Sequence, residues 1–123
     1  MKKTALKILL LLFTLGLYTG CSNVDDATIV AAQNAVSNGA VIIDVRSVKE
    51  YRGKHVHNAI NIPVEEIVKS VARVPKNRII VVYCRSGSRS SHAASILRQK
   101  GWQVIDVATQ GDYERKVEIK TKS

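Results

Sequence analysis

A seven-residue loop in the C-terminal half of the chain combines residue types suited to sulfur and anion chemistry. It reads Cys84-Arg85-Ser86-Gly87-Ser88-Arg89-Ser90, so one thiol lies among two cations, three hydroxyls and one glycine. The glycine lets backbone N–H groups turn toward one point, and a helix beginning here adds its positive end. These features stabilise a thiolate. We therefore predict Cys84 as a catalytic nucleophile, with these substrate-binding residues: Arg85, Ser86, Gly87, Ser88, Arg89 and Ser90.

The spacing within this loop separates two kinds of anion chemistry. Protein phosphatases and arsenate reductases also hold an anion over a cysteine, but their loops have the pattern C-x5-R. Here Arg89 follows Cys84 after four residues, and Ser90 stands where those loops carry arginine. The histidine that usually precedes the cysteine is replaced by Tyr83. The shorter loop favours sulfur over a tetrahedral phosphate, and Arg89 either contacts the substrate or supports the loop from behind.

Alternating helix and strand patterns surround the loop. A helix is predicted from Asp25 or Asp26 to Ser37, and Ser47 with Glu50 forms a capping box that opens a short second helix. The predicted strands are 41–43, 59–62, 78–83 and 103–107, and two further helices are predicted over 64–71 and 88–100. Strands that are apolar throughout indicate an α/β fold with a mostly parallel central sheet of four to five strands and helices on both faces. From Arg115 onward the chain is charged and is expected to end loosely.

A second motif accompanies the cysteine loop and makes the resemblance to a known family specific. The segments that carry it are Ile43-Asp44-Val45-Arg46, Glu50-Tyr51, His55-Val56 and Ala59-Ile60-Asn61-Ile62-Pro63. They resemble the D-V-R…E-Y…G-H-I-x-G-A-x-N-I-P signature of single-domain rhodaneses, whose active-site loop is C-R-x-G-x-R. The resemblance covers residues 25–114, with Lys54 and Asn58 replacing two glycines of the signature.

This resemblance implies a rhodanese-like fold and an enzyme that transfers sulfur. Thiosulfate or a related small anionic donor would leave a persulfide on Cys84, and cyanide or a thiol would accept the sulfur. Asp44 and Arg46 are expected to form an ion pair that braces the loop as structural support. Two alternatives remain open: a sulfur carrier or redox-binding module for a partner protein, and, less favoured, phosphatase or arsenate chemistry.

The first twenty residues have the layout of a secretory signal peptide, with Lys2 and Lys3 ahead of an apolar stretch and small residues before Cys21. The segment Leu17-Tyr18-Thr19-Gly20-Cys21 resembles the lipobox of bacterial lipoproteins. We therefore expect lipidation of Cys21, a tether over 21–27 and a position on the periplasmic side of a bacterial membrane. Ser22 favours the outer membrane if the organism is Gram-negative. An uncleaved membrane anchor is the alternative.

The size and charge of the chain limit its other functions. With 123 residues it has room for one domain, predicted over 28–116 and followed by a basic tail over 117–123. Its net charge is +9, but no basic stripe interleaved with aromatic residues is present, so we expect no nucleic-acid partner. His55 and His57 lack the further ligands of a metal site. We expect no metal, no cofactor and a monomer.

Overall fold

The computed structural model describes residues 24–118, which form a sheet of four parallel strands. The strands are β1 (Val41–Asp44), β2 (Ile60–Asn61), β3 (Ile80–Cys84) and β4 (Val104–Thr109). Their order across the sheet is β2-β1-β3-β4, so β1 and β3 are central. The predicted signal peptide and the first three residues of the predicted tether, Cys21 among them, lie outside the described residues, as does 119–123.

Helices precede the first strand, connect the strands and follow the last of them. They are α1 (Asp26–Ser37), α2 (Val48–Gly53), α3 (Ile67–Ser70), α4 (Ser88–Gln99) and α5 (Gln110–Asp112). The helix predicted over 64–71 is one short α-helical segment between two 3₁₀ turns, Val64–Glu66 and Val71–Arg73. None of the helices within residues 24–118 is long and apolar enough to cross a membrane.

Local signals in the sequence set several of these boundaries. The Asp25 carboxylate accepts a hydrogen bond from the N–H of Thr28 at 2.7 Å and caps α1. The predicted capping box at the start of α2 is present, because Ser47 and Glu50 bond reciprocally to each other's backbone N–H. Asn58, which replaces a glycine of the family signature, has a left-handed φ of 64°. This agrees with the preference of asparagine for that conformation.

The sheet is covered on both faces, as the apolar strands predict. Because side chains alternate across a strand, neighbouring residues of β3 enter different cores. On one face, Val82 and Cys84 pack with α3 and α4, while on the other Val81 and Tyr83 pack with α1 and the C-terminal segment. The α/β class, the parallel sheet and the helices on both faces are thus confirmed, with four strands.

The end of the described chain differs from its prediction. Tyr113–Glu118 continue α5 as a π-helical segment, whereas a loose end was expected from Arg115. Val117 is fully buried in the same core as α1 and Tyr113. The segment is mostly charged, and this is why a loose end was predicted. Its two apolar residues, Tyr113 and Val117, are four positions apart and therefore lie on one face of a helical turn.

Candidate active site

Cys84 is the last residue of β3 and lies at the carboxyl edge of the sheet, where ligands bind in open α/β folds. The residue is buried, and its Sγ accepts a hydrogen bond from the backbone N–H of Gly87 at 3.0 Å. Gly87 has φ 96°, a left-handed conformation that turns the loop back over the sulfur before α4 begins. The predicted glycine-dependent turn is therefore present at the thiol.

Burial and hydrogen bonding act in opposite directions on the ionisation of the Cys84 thiol. Burial raises the pKa of the thiol, while hydrogen bonds from the Ser90 hydroxyl and from the amides of Ser90, Gly87 and Ser86 lower it. The hydrogen bonds prevail, and the pKa lies below that of an ordinary cysteine. The loop is thus built around the anionic form of sulfur, which is the nucleophilic form.

Ser90 is the fully buried polar residue of the loop. Its Oγ donates to the carbonyl oxygen of Gly87 at 3.1 Å and lies 3.4 Å from the carbonyl oxygen of Ala108 on β4. The Ser90 side chain is therefore held between the loop and the neighbouring strand. In a C-x5-R loop an arginine would occupy this position. Here the position has a short, uncharged hydroxyl side chain instead of a cation.

Arg89 is directed away from the loop interior toward α2. Its Nη1 and Nη2 donate to Glu50 Oε2 and Oε1 at 2.7 and 3.1 Å, a two-pronged ion pair across 39 residues of sequence. Hydrogen bonding by Arg89 lowers the pKa of Glu50 to about 2, so the carboxylate is ionised at neutral pH. Of the two roles considered for Arg89, the geometry supports the brace.

Arg85 has the opposite environment. It is exposed, and within residues 24–118 its guanidinium has no hydrogen bond or ion pair. Ser86 and Ser88 are exposed beside it, and Gly87 is half-buried. Since Glu50 neutralises Arg89, Arg85 is the loop cation whose charge is available to an incoming anion.

The predicted pair of Asp44 and Arg46 is present and buried. The Arg46 guanidinium donates to both carboxylate oxygens at 2.6–3.0 Å, and its backbone N–H donates to Oδ1 at 2.9 Å. Arg46 also donates to the carbonyl oxygen of Lys54 at 2.6 Å. The pair thus holds the segment after α2 as well as the end of β1.

Tyr83, which precedes the cysteine, completes this buried network. Its hydroxyl donates to Asp44 Oδ2 at 2.8 Å and accepts from the N–H of Val56 at 3.0 Å. Burial raises the pKa of the Tyr83 hydroxyl well above its usual value, which keeps it protonated and donating. The sequence indicated only that a tyrosine replaces histidine here, and gave no sign of its partners.

The two histidines considered as a metal pair have ordinary surroundings. The His55 ring stacks on Tyr51 with 3.7 Å between ring centroids, and its Nδ1 lies 2.8 Å from the Tyr51 carbonyl oxygen. His57 is exposed. Among the described residues, no three histidine, cysteine or carboxylate side chains are grouped as metal ligands would be.

Comparison with known proteins defines the class to which this fold and site belong. The model of the rhodanese-like domain family matches residues 28–117. The chain belongs to the rhodanese-like domain family. That match includes the whole Cys84 loop, the Asp44–Arg46 pair and the final buried segment.

Relatives of the chain carry sulfur-transfer activities. It is 41% identical over 68 residues to the thiosulfate sulfurtransferase PspE of Escherichia coli K12, covering 54% of this chain and 65% of that protein. It is 33% identical over 84 residues to the tRNA sulfurtransferase of Thermoplasma acidophilum, covering 64% of this chain but 17% of that one. The chain thus spans less than two thirds of either relative. These matches support a sulfur-transfer role.

One solved structure is similar to this chain in both fold and sequence. The structure described as a rhodanese with anions from E. coli superposes with a TM-score of 0.56 at 35% identity, covering 60% of this chain and 91% of that one. Its match supports the α/β fold with a four-strand parallel central sheet.

Proposed function

We propose that this protein is a sulfurtransferase that moves sulfane sulfur from thiosulfate or a related anion to cyanide or a thiol. The observation that carries the proposal is the Cys84 thiol itself. It lies at the end of β3, one of the two central strands, accepts the Gly87 N–H at 3.0 Å, and has a pKa lowered by hydrogen bonds from the loop. The sulfurtransferase relatives support the same chemistry.

The proposed reaction has two displacements at sulfur. The Cys84 thiolate attacks the outer sulfur of thiosulfate, a new S–S bond forms, and the old bond breaks with its electron pair leaving on sulfite. The loop amides then hold the terminal sulfur anion of the persulfide. In the second step cyanide or a thiolate attacks that terminal sulfur, and the electrons of the persulfide bond return to Cys84 as thiolate. Neither step requires an external oxidant or reductant.

Each charged residue of the loop has a separate part in this scheme. Arg85, exposed and unpaired within the described residues, attracts the donor anion and the leaving sulfite. Arg89 is held by Glu50 and keeps the first turn of α4 in place against α2. Because Cys84 is buried, loop side chains must move aside before a donor reaches the sulfur.

Mass spectrometry of the Cys84 peptide tests the proposal directly. After the purified chain is incubated with thiosulfate, we expect this peptide to gain one sulfur atom, and we expect cyanide to remove it with release of thiocyanate. A Cys84 peptide of unchanged mass at saturating thiosulfate would contradict the proposal.

A sulfur carrier for a partner protein is the second candidate, and the complete burial of Cys84 favours it. A buried persulfide is protected from small thiols and would be released only when a partner opens the loop. The two candidates differ in kinetics. An enzyme gives steady thiocyanate production, whereas a carrier gives one equivalent of persulfide and then stops.

We propose further that the mature chain is attached to the periplasmic side of a bacterial membrane through lipid on Cys21. The support is the lipobox-like segment that precedes this cysteine. Each buried methylene of an acyl chain adds about 0.8 kcal/mol to membrane binding, so several chains anchor a small domain. Replacing Cys21 by Ala is expected to release the protein from the membrane fraction, and continued membrane association of the variant would contradict the anchor.

A further inference from the structure

The basic residues of the chain are unevenly distributed along its sequence. Between Glu66 and Asp106 there are eight lysines and arginines and no aspartate or glutamate. Protein surfaces usually mix charges of both signs, because a field of a single sign attracts oppositely charged molecules. Within the described residues, Arg89 is the one cation of these eight that is in an ion pair. The fold therefore decides where the uncompensated charge is concentrated.

Four of these cations lie at the amino edge of the sheet, opposite the edge that carries Cys84. Lys76 and Arg78 precede β3, and Arg98 and Lys100 lie at the end of α4, ahead of β4. The two groups are in contact, because Lys76 Nζ donates to the carbonyl oxygen of Lys100 at 2.5 Å. The ends of the five-residue strand β3 are about 13 Å apart. All four residues are exposed, and we call them the basic edge surface.

The basic edge surface has no counter-charge in the described part of the chain. None of its four cations is in an ion pair there. The segments that form this edge contain no acidic residue: 37–41, 71–80 and 98–104. Two of the cations donate instead to backbone carbonyl oxygens, Arg78 to Gly39 and Arg98 to Val104, at 2.9 and 3.0 Å. These bonds restrict the side chains without removing their charge, so that less conformational entropy is lost when an anion binds.

The carboxyl edge of the sheet has a different charge pattern, because acidic residues there pair with the cations. The pairs are Asp44–Arg46, Glu50–Arg89, Glu114–Lys54 and Asp112–Arg115. Arg85 and other single cations at this edge remain without a partner in the described residues. The difference between the two edges is therefore the absence of acidic residues at the amino edge and not the number of cations.

We propose that the basic edge surface is a docking site for an acidic segment of a partner protein. Charge complementarity carries the proposal, since several fixed cations without a counter-charge attract and orient a segment rich in aspartate or glutamate. A partner docked at this edge leaves Cys84, at the opposite end of β3, open to its substrates. The proposal goes beyond the proposed function and does not require it.

Two other anionic partners fit this surface less well. Single-stranded nucleic acids stack their bases on exposed aromatic rings, whereas the aromatic residue at this edge, Trp102, is buried. An anionic bilayer fits the fold poorly, because α1 leads directly into the start of β1 and therefore begins at the carboxyl edge. The proposed lipid on Cys21 would then hold the domain by the edge opposite the basic edge surface. Both partners are included in the test.

A short peptide of glutamate residues, labelled with a fluorophore, is the probe, and its fluorescence anisotropy measures binding to the purified chain at low ionic strength. The matching glutamine peptide is the uncharged control. Trp102 is the one tryptophan of the chain, and its ring centroid lies 4.7 Å from Lys76 Nζ. We expect the glutamate peptide to bind and to change the emission of Trp102, and the glutamine peptide to do neither.

Two double variants with equal loss of charge locate the binding site. Lys76→Gln with Lys100→Gln removes two charges from the basic edge surface and is expected to weaken binding of the glutamate peptide at least about fivefold. Glutamine at position 76 keeps a donor for the Lys100 carbonyl oxygen. Lys49→Gln with Arg52→Gln removes two charges from exposed residues of α2, and is expected to change the affinity by less than about twofold. Melting temperatures of both variants should stay close to that of the unchanged chain.

Alkylation of Cys84 by iodoacetamide shows whether the peptide binds at the opposite edge instead. We expect saturating glutamate peptide to leave the alkylation rate unchanged. Protection of Cys84, or an equal loss of affinity in the two double variants, would overturn the proposal. Tighter binding of phosphatidylglycerol vesicles or of a single-stranded oligonucleotide than of the peptide, lost in the Lys76 and Lys100 variant, would also overturn it. Failure of the proposed function is recognised separately, by an unchanged Cys84 mass after thiosulfate.

Discussion

Replacing Cys84 by Ser is expected to reduce thiosulfate-dependent sulfur transfer by about 10³-fold or more, to the level of the uncatalysed reaction. A serine hydroxyl remains protonated at neutral pH and forms no persulfide. The change is otherwise conservative, since a hydroxyl accepts the Gly87 N–H that Sγ accepts at 3.0 Å in the unchanged chain. Activity should therefore fall without a comparable change in melting temperature.

Steady-state production of thiocyanate measures this effect, and the mass of the residue-84 peptide shows its cause. Ser95→Ala is the matched control, because it alters an exposed hydroxyl on the same helix, α4. The control should retain full activity. If the Cys84→Ser variant still transferred sulfur at a comparable rate, Cys84 would not be the nucleophile and the proposed function would fail.

The position of the cysteine could be predicted from the sequence because local patterns determine it. The apolar run before Cys84 predicts a buried strand, and Gly87 followed by helix-forming residues predicts a turn into a helix. Both are present, with β3 ending at Cys84 and α4 beginning at Ser88. The Ser47–Glu50 capping box was equally local and was also found.

The partners of the site residues could not be predicted, because they lie far apart in sequence. Arg89 meets Glu50, and Tyr83 meets Asp44, each across 39 residues. Glu50 was recognised as a helix cap and as part of the family signature, but not as the partner of Arg89. Its Oε2 accepts hydrogen bonds from both the Ser47 backbone and Arg89. The left-handed Ala108 had no sequence signal at all, since alanine does not favour that conformation.

Replacing Asp44 by Asn is expected to destabilise the fold by about 3–5 kcal/mol, the usual cost of removing one partner from a buried ion pair. Asp44 is fully buried, and its carboxylate accepts hydrogen bonds from Arg46 and from the Tyr83 hydroxyl. The asparagine side chain has only one acceptor oxygen, and its NH₂ group would face N–H or O–H groups that are themselves donors. It also lacks the negative charge that compensates Arg46. For a domain of this size the melting temperature should fall by roughly 15–30 °C.

Two companion variants show whether this loss comes from the buried charge. Glu114→Gln removes one partner of the Lys54–Glu114 pair at the surface, in which the Lys54 side chain is 76% exposed and that of Glu114 is 28% exposed, and should cost less than about 1 kcal/mol. Adding Arg46→Met to Asp44→Asn should recover part of the stability, because the uncompensated guanidinium is then absent. Denaturant unfolding of the three variants measures these differences. If Asp44→Asn were as mild as Glu114→Gln, the segment at Lys54 and Val56 would be held by its apolar packing, and the buried network behind Cys84 would contribute little to the fold.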